Sequence, residues 1–300
     1  MTTNIQEFLY DTLLKDYGEQ ITNQIIEGYS KDRVTTLRVN TSKTNIEEIK
    51  NKLTNSGIKF QKVSWIPNAL IIENAKENEI SKLQMYEKGE IYLQSLSSMI
   101  PPIILEPKKG ETILDMAAAP GGKTTQMANL SNNEAIITAC EKNKIRAERL
   151  KYNLQKQGTT RVSVMVEDAR RLDDFFSFDK ILLDAPCSGS GTLNIDEIDK
   201  FTKELVDRSI KTQKELLLKA IKIVKKNGEI IYSTCSILKD ENERLLKEVL
   251  KKSNVELVPI NEEMFQNIPL LPTEIPETIC ICPTELYEGF FVAKLRKIGG

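Results

Sequence analysis

Histidine is absent from this chain of 300 residues. That absence excludes a Ser-His-Asp triad, a Cys-His dyad and any metal site built on imidazole. A reactive cysteine here must be activated by another group: a helix N-terminus, a nearby lysine or the bound substrate. An excess of charge of one sign is missing too. Lys and Arg number 42 against 43 Asp and Glu, a net charge of −1. The protein is not globally basic, so any nucleic-acid surface on it has to be local. No uninterrupted apolar stretch approaches the length that crosses a bilayer. The start, Met1-Thr-Thr-Asn-Ile5, lacks the basic residues and apolar centre of a secretory signal. Five cysteines in no dense spacing pattern fit free thiols in a reducing compartment, so a cytoplasmic protein is expected. What remains is an ordinary globular composition, 40% hydrophobic and 28% charged, long enough for one large domain and a small one. Neither a membrane partner nor a metal is expected. No feature specifies an oligomer, which leaves a monomer as the default.

Two of the cysteines follow apolar runs that lead into small residues. Cys187 lies in Phe178-Asp-Lys-Ile-Leu-Leu-Asp-Ala-Pro-Cys-Ser-Gly189, and Cys235 in Glu229-Ile-Ile-Tyr-Ser-Thr-Cys-Ser236. A strand that runs into such a loop delivers its last side chains to the carboxyl edge of a sheet, where open α/β folds bind ligands. Two thiols brought there by two strands point to chemistry on sulfur, one as nucleophile and one as its assistant. The other three read as structure. Cys140 sits on an apolar strand as a small buried hydrophobe. Cys280 and Cys282 alternate with Ile279 and Ile281, so one face of that segment is expected in the core, and a metal pair there lacks two further ligands.

Along the chain, Phe8, Leu9, Leu13, Ile21, Ile25 and Ile26 have helical spacing, as does Ile5 before them. Val34–Val39 is β-like, and Ile46, Ile49 and Leu53 mark a helix stopped at Asn55-Ser-Gly57. Ile58–Val63 and Ala69–Ile72 read as two more strands. This β-α-β-β unit resembles a small ferredoxin- or RRM-like module, and a domain boundary is placed at residue 88. Pro101-Pro102 and Glu106-Pro-Lys-Lys-Gly110 punctuate the stretch after it. From residue 111 strands and helices alternate, ending in a strand at Phe290–Lys294, which predicts an α/β fold with a doubly wound, mostly parallel sheet over residues 89–300.

The first strand of that sheet ends in Asp115-Met-Ala-Ala-Ala-Pro-Gly-Gly-Lys-Thr124. Small residues here let the backbone approach a ligand whose charge meets the next helix's free N–H groups. The run nearly spells a phosphate-binding loop, but Ala117 stands where that motif needs glycine. A nucleotide hydrolase with Asp184 near Mg²⁺ is therefore one reading. Four acids favour S-adenosylmethionine instead. Asp115, Glu141, Asp168 and Asp184 follow successive strands, a poor arrangement for a polyanion and a good one for a cationic nucleoside. Glu141 is placed for ribose hydroxyls, Asp168 for the adenine amine and Asp184 for the methionine amine.

These residues resemble the NOL1/NOP2/Sun (RsmB/NOP2-type) RNA cytosine-5 methyltransferases. The likeness runs through Leu37-Arg-Val-Asn40, Gln94 with Ser97-Ser98, Ala117–Lys123, Phe178–Gly189, Ser233-Thr-Cys-Ser236 and Glu288–Lys294, about residues 34 to 296. In length, and in Gln94–Pro102, the chain looks most like the compact archaeal tRNA methyltransferases of that family. The resemblance implies a Rossmann-like catalytic domain behind an RNA-binding module. It also implies a loop of Ala117, Ala118, Ala119, Pro120, Gly121, Gly122 and Lys123 around S-adenosylmethionine, with Glu141, Arg146, Asp168 and Asp184. Cys235 becomes the nucleophile at cytosine C6 and Cys187 the group that assists release. Asp184 and Lys123 then act on the base or on a thiol. The expected activity is C5 methylation of cytosine in RNA, tRNA before rRNA; a non-catalytic RNA-binding assembly factor is the remaining alternative. By the same resemblance Arg38 and Asn40 lie near the active cleft, whereas Trp65 reads as packing. Two departures concern RNA contact: Cys280 stands near a usual arginine, and the acidic Asn194-Ile-Asp-Glu-Ile-Asp199 replaces a basic, proline-containing segment.

Overall fold

The computed structural model describes residues 7–194, 198 and 201–299. The Met1–Ile5 start and most of the acidic run, Ile195–Glu197 and Asp199, lie outside the described residues. The first helix, α1 (Glu7–Tyr29), breaks at Gly18, whose φ of 74° only glycine adopts freely. The small module follows as β1 (Thr35–Val39), α2 (Ile46–Asn55), β2 (Phe60–Lys62), β3 (Ala69–Ile72), α3 (Glu77–Ile80), α4 (Gln84–Glu87) and β4 (Ile91–Leu93). Asn45 caps α2 by accepting from the Glu48 N–H at 3.0 Å, and Glu47 and Glu48 suit the positive end of the helix. The strands form an antiparallel sheet in the order β2-β3-β1-β4. Strand alternation sends Leu37 and Val39 into a core with Ile49, Leu53, Leu70 and Ile91, and turns Arg38 to the opposite face.

Two features differ from a domain boundary at residue 88. Strand β4 lies beyond it and closes the small sheet, Leu37 facing Leu93 and Val39 facing Ile91. Helix α1 lies before it, yet Leu9, Leu13, Ile25 and Tyr29 pack with Leu183, Tyr232 and Phe291 of the large sheet. Local spacing predicted the helix, but not which sheet would cover it.

Next comes α5 (Leu96–Leu105), a buried helix capped by Ser95. Pro101 and Pro102 lie inside it rather than breaking the chain. Leu96, Met99, Ile100 and Leu105 are wholly buried, and that packing outweighs the lost hydrogen bonds. The large domain runs β5 (Thr112–Asp115), α6 (Gly122–Leu130), β6 (Ile136–Cys140), α7 (Lys144–Gln157), β7 (Val162–Met165), β8 (Phe178–Asp184), α8 (Lys203–Ile223) and β9 (Val224–Thr234). It ends with α9 (Glu243–Leu250), β10 (Val255–Val258), β11 (Leu270–Leu271), β12 (Ile279–Ile281) and β13 (Phe290–Lys297). The sheet order is β11-β12-β13-β9-β8-β5-β6-β7, with β10 on β13. Strands β7, β6, β5, β8 and β9 are parallel, and β13 joins antiparallel. The order reverses between β5 and β8, which opens a crevice at the carboxyl ends of those strands.

Strand β12 corrects the expectation of one buried face. Cys280 and Cys282 enter the cluster on one side of the sheet, Ile279 and Ile281 the cluster on the other. Both faces are covered, so both are buried. Burial pushes the Cys282 thiol up to about 11 and the Cys140 thiol up to about 12. None of the described helices is long and apolar enough to cross a membrane.

Candidate active site

The β5–α6 loop forms the floor of the crevice. Gly121 has φ +109°, and a Cβ there would meet Leu150 Cδ1 at 3.0 Å, so glycine lets α6 start this close to α7. Two spaces meet at Ala117. One is a narrow groove bordered by Glu141, Arg146, Asp168, Arg170, Pro186 and Leu216. The other is an open cleft of about 970 Å³ with Asp115, Ala117–Pro120, Gly122, Lys123, Asp184 and Cys235 on its walls, together with Tyr92, Gln94, Glu288 and Phe290.

Lys123, in the first turn of α6, donates to Asp184 Oδ2 and to Ser98 Oγ, both at 2.7 Å. Its ammonium lies 5.3 Å from the centre of the Phe290 ring. Burial lowers the pKa of Lys123, but the charge and hydrogen bond of Asp184 outweigh it, so the lysine stands above its ordinary value and stays charged. Ser233 donates to Asp184 Oδ1 at 2.8 Å. Asp115 is almost completely buried and accepts from Thr124 Oγ1 at 2.7 Å. Burial pushes its carboxyl up to about 6 against the pull of Thr124, with the Asp184 charge adding to the rise. These contacts argue against a phosphate-binding loop. The lysine and threonine such a loop would turn on phosphates are turned here on two carboxylates.

Cys235 directly follows β9, and Ala185-Pro186 separates Cys187 from the end of β8. Adjacent parallel strands bring their sulfurs to 3.1 Å, well beyond disulfide length, and both cysteines are free. Cys235 opens on the cleft beside Lys123 and Asp184, whereas Cys187, half-buried like Cys235, does not line it. The neighbouring Cys235 sulfur, followed by burial, pushes the Cys187 thiol well above its ordinary range. The cysteine loops are braced from behind. Gly191 donates to the Cys235 carbonyl at 2.9 Å, and a Cβ on Gly191 would collide with the Gly289 backbone. From α1, Tyr29 and Tyr17 donate to the carbonyls of Ser190 and Ile237 at 2.6 and 2.5 Å.

In the groove, Glu141 is buried and pairs with Arg146 at 3.3 Å, and Arg146 also donates to the Ala119 carbonyl at 2.8 Å. Asp168 is held by Arg170 through bonds of 2.6 to 3.2 Å, which keep its carboxyl below the usual range. Arg170 carries no sequence signal of its own, although it stands two residues from Asp168. Ser98, Ser233 and Phe290 belong to the site as well; each lies inside a motif of the chain, but no motif marks it as a site residue. Arg38 and Asn40 do not face the cleft. Arg38 backs α6, and Asn40 donates to the Gly89 and Gln157 carbonyls at 2.9 and 2.8 Å. Trp65 packs edge-on against Phe265 and donates to the Tyr287 hydroxyl. Among the described residues no group of three or more Cys, Asp or Glu is arranged to hold a metal.

Known proteins resemble this chain in sequence and fold. Residues 102–296 match the family described as 16S rRNA methyltransferase RsmB/F, and residues 6–78 match the ferredoxin-like domain of RsmF/B-like methyltransferases. A 28S rRNA (cytosine-C(5))-methyltransferase from Mus musculus is 35% identical over 97% of this chain. The chain spans 38% of that relative's length. A tRNA (cytosine(49)-C(5))-methyltransferase from Pyrococcus abyssi is 33% identical over 94% of this chain and 99% of its own length. A solved structure described as a methyltransferase homolog from Pyrococcus horikoshii is 32% identical, with a TM-score of 0.82 over 98% of this chain and 100% of that one. This chain belongs to the RsmB/F family of methyltransferases, the family its cysteine and loop motifs resemble.

Proposed function

We propose that the protein methylates C5 of a cytosine in RNA, with S-adenosylmethionine as donor and a transient bond from Cys235 to C6. The observation that carries this reading is the pair of sulfurs 3.1 Å apart, one of them opening on the cleft beside the Lys123–Asp184 pair. The residues present fit the donor: the carboxylates of Asp115, Glu141, Asp168 and Asp184 border the groove and cleft and offer acceptors for the hydroxyls and amines of a nucleoside. Bound there, it supplies an electrophilic methyl group. Glu141 offers an acceptor for ribose hydroxyls and Asp168 one for the adenine amine, while Arg146 steadies the loop at Ala119.

Cytosine C5 is a poor nucleophile. Addition of the Cys235 thiolate to C6 makes the ring an enamine, whose C5 can then take the methyl. Asp184 steadies the base edge as charge develops there, and Lys123 holds Asp184 beside Cys235. Loss of the C5 proton re-forms the ring double bond and expels the Cys235 sulfur, a release that Cys187 assists. The base must leave its stack to reach the cleft. The small N-terminal module is the proposed RNA-gripping part. Transfer RNA is the proposed substrate, supported by the near full-length likeness to the Pyrococcus abyssi relative, and five free thiols suit work in the cytoplasm.

Methyl transfer from labelled S-adenosylmethionine to tRNA and rRNA tests this, with bisulfite sequencing to find the base. The expected product is 5-methylcytosine in tRNA. A wild-type protein that binds the donor and leaves every cytosine unmodified would overturn the proposal.

A further inference from the structure

Glu241 lies outside both the groove and the cleft. It is fully buried in the turn before α9, and among the described residues no lysine or arginine pairs with it. Its carboxylate is satisfied by four donors instead. Oε1 accepts from the Ser188 N–H at 2.8 Å and from Gln213 at 3.0 Å. Oε2 accepts from the hydroxyls of Ser188 and Ser236, each at 2.5 Å. Ser188 is the neighbour of Cys187, and Ser236 is the neighbour of Cys235. One carboxylate thus bonds the residue after each thiol. A carboxylate offers four acceptor positions and an amide oxygen two, which accounts for an acid at this buried place. The span is reinforced by Ser190 and Ser236, whose hydroxyls meet at 2.8 Å.

We propose that Glu241 is a positioning residue that couples the two thiols, fixing their separation and aim through Ser188 on one loop and Ser236 on the other. The inference rests on the function proposed above and adds a residue that touches neither RNA nor methyl donor. Packing alone would hold two loops together; bonds to the residue after each cysteine hold two sulfurs in register. Burial pushes the Glu241 carboxyl above its usual range and its charge raises Cys187, in keeping with a carboxylate set close behind the thiols.

The two hydroxyl bonds can be removed separately, the Ser188 N–H bond to Oε1 staying in place in Ser188→Ala. Pooled tRNA transcripts containing 5-fluorocytidine serve as probe, because fluorine at C5 cannot leave as a proton and the adduct is trapped. Ser236→Ala is expected to slow adduct formation about thirtyfold. Ser188→Ala is expected to form the adduct at nearly the wild-type rate and to accumulate it on unmodified RNA. Glu241→Ala should lose both steps by a hundredfold or more, with donor affinity by calorimetry within threefold of wild type. Glu241→Gln, whose amide can donate to hydroxyls that turn to accept, should recover activity to within about tenfold. Equal rates of formation and release in wild type, Ser188→Ala and Ser236→Ala would overturn the role, even where Glu241→Ala fails to fold. So would parallel losses of melting temperature, donor binding and both steps in these variants. A wild-type protein that traps no fluorinated RNA fails the function proposed above instead, which keeps the two claims apart.

Discussion

Two cations meet at the start of helix α6, Arg38 buried behind it and Lys123 projecting from its first turn, and they are handled differently. Arg38 reaches it from β1 of the small module. Its guanidinium donates to Gln94, Asn129 and Thr125 at 3.1, 2.7 and 3.0 Å and to the Gly122 carbonyl at 3.4 Å. Every one of these acceptors is neutral, and burial lowers the arginine to about 10. Lys123 points from the first turn of α6 into the cleft, and its partner is the carboxylate of Asp184. The first arrangement is closed: each guanidinium nitrogen has a partner, and Arg38 itself does not line the cleft, although its acceptors Gln94 and Gly122 do. The second opens on solvent beside a free thiol, where its charges can act on a ligand. The comparison separates a polar network that holds the fold from one placed to do chemistry.

The largest effect belongs on the cleft side. Cys235→Ala removes the proposed nucleophile and is expected to abolish methyl transfer, while donor affinity by calorimetry stays within about threefold. Turnover by that variant would empty the comparison of its chemical half. Asp184→Asn should come next. It keeps the shape and removes the charge that holds Lys123, so methyl transfer is expected to fall by roughly 10² to 10⁴. Its melting temperature should move little, because the pair is partly solvated. A large stability loss with intact activity would reassign this pair to the structural side.

Arg38→Met should show the reverse pattern. The stem still fills its space, but the acceptors lose their donor in a buried setting. A loss on the order of 3 kcal/mol is expected, read as a fall of roughly 6 °C in Tm. Activity per folded molecule should stay close to wild type. Arg38→Lys should recover little, since one ammonium cannot reach acceptors spread over four residues.

Much of this contrast is legible in the sequence on the cleft side and very little behind it. The strand ends at Asp115 and Asp184 follow from apolar runs meeting small residues, and the run of Glu229–Tyr232 puts Cys235 just past a third, although the strand itself continues to Thr234. A repeating local pattern carries that information. Arg38 gives no such sign: Leu37-Arg-Val-Asn40 reads equally as a strand finishing at a surface. Only the docking of β1 against α6, partners distant in sequence, makes it a buried cation. The same holds for α1, whose apolar face suits either sheet, and for Pro101-Pro102, where burial overrides a breaker signal. Asp168 was legible as an acid after a strand, but its pairing with Arg170 depends on a 3₁₀ turn that periodicity does not encode.

The smallest effect sharpens the comparison at a residue that belongs to both sides. Asp115 is buried like Arg38 yet lines the cleft like Lys123. Its carboxyl is raised to about 6 by burial, so the folded protein holds this proton more tightly than the unfolded chain does. Between about pH 4 and pH 6 the unfolded chain gives the proton up first, and the Asp115 contribution to stability therefore falls as pH rises through that window. A cationic donor favours the ionised form, so donor affinity should move the opposite way. Calorimetry is expected to show binding about tenfold tighter at pH 8 than at pH 5. Asp115→Asn cannot ionise and should flatten both profiles, with affinity near the low-pH value throughout. An unchanged pH profile in the Asn variant would mean that another acid of the cleft faces the donor's charge, and Asp115 would then join Arg38 as part of the scaffold.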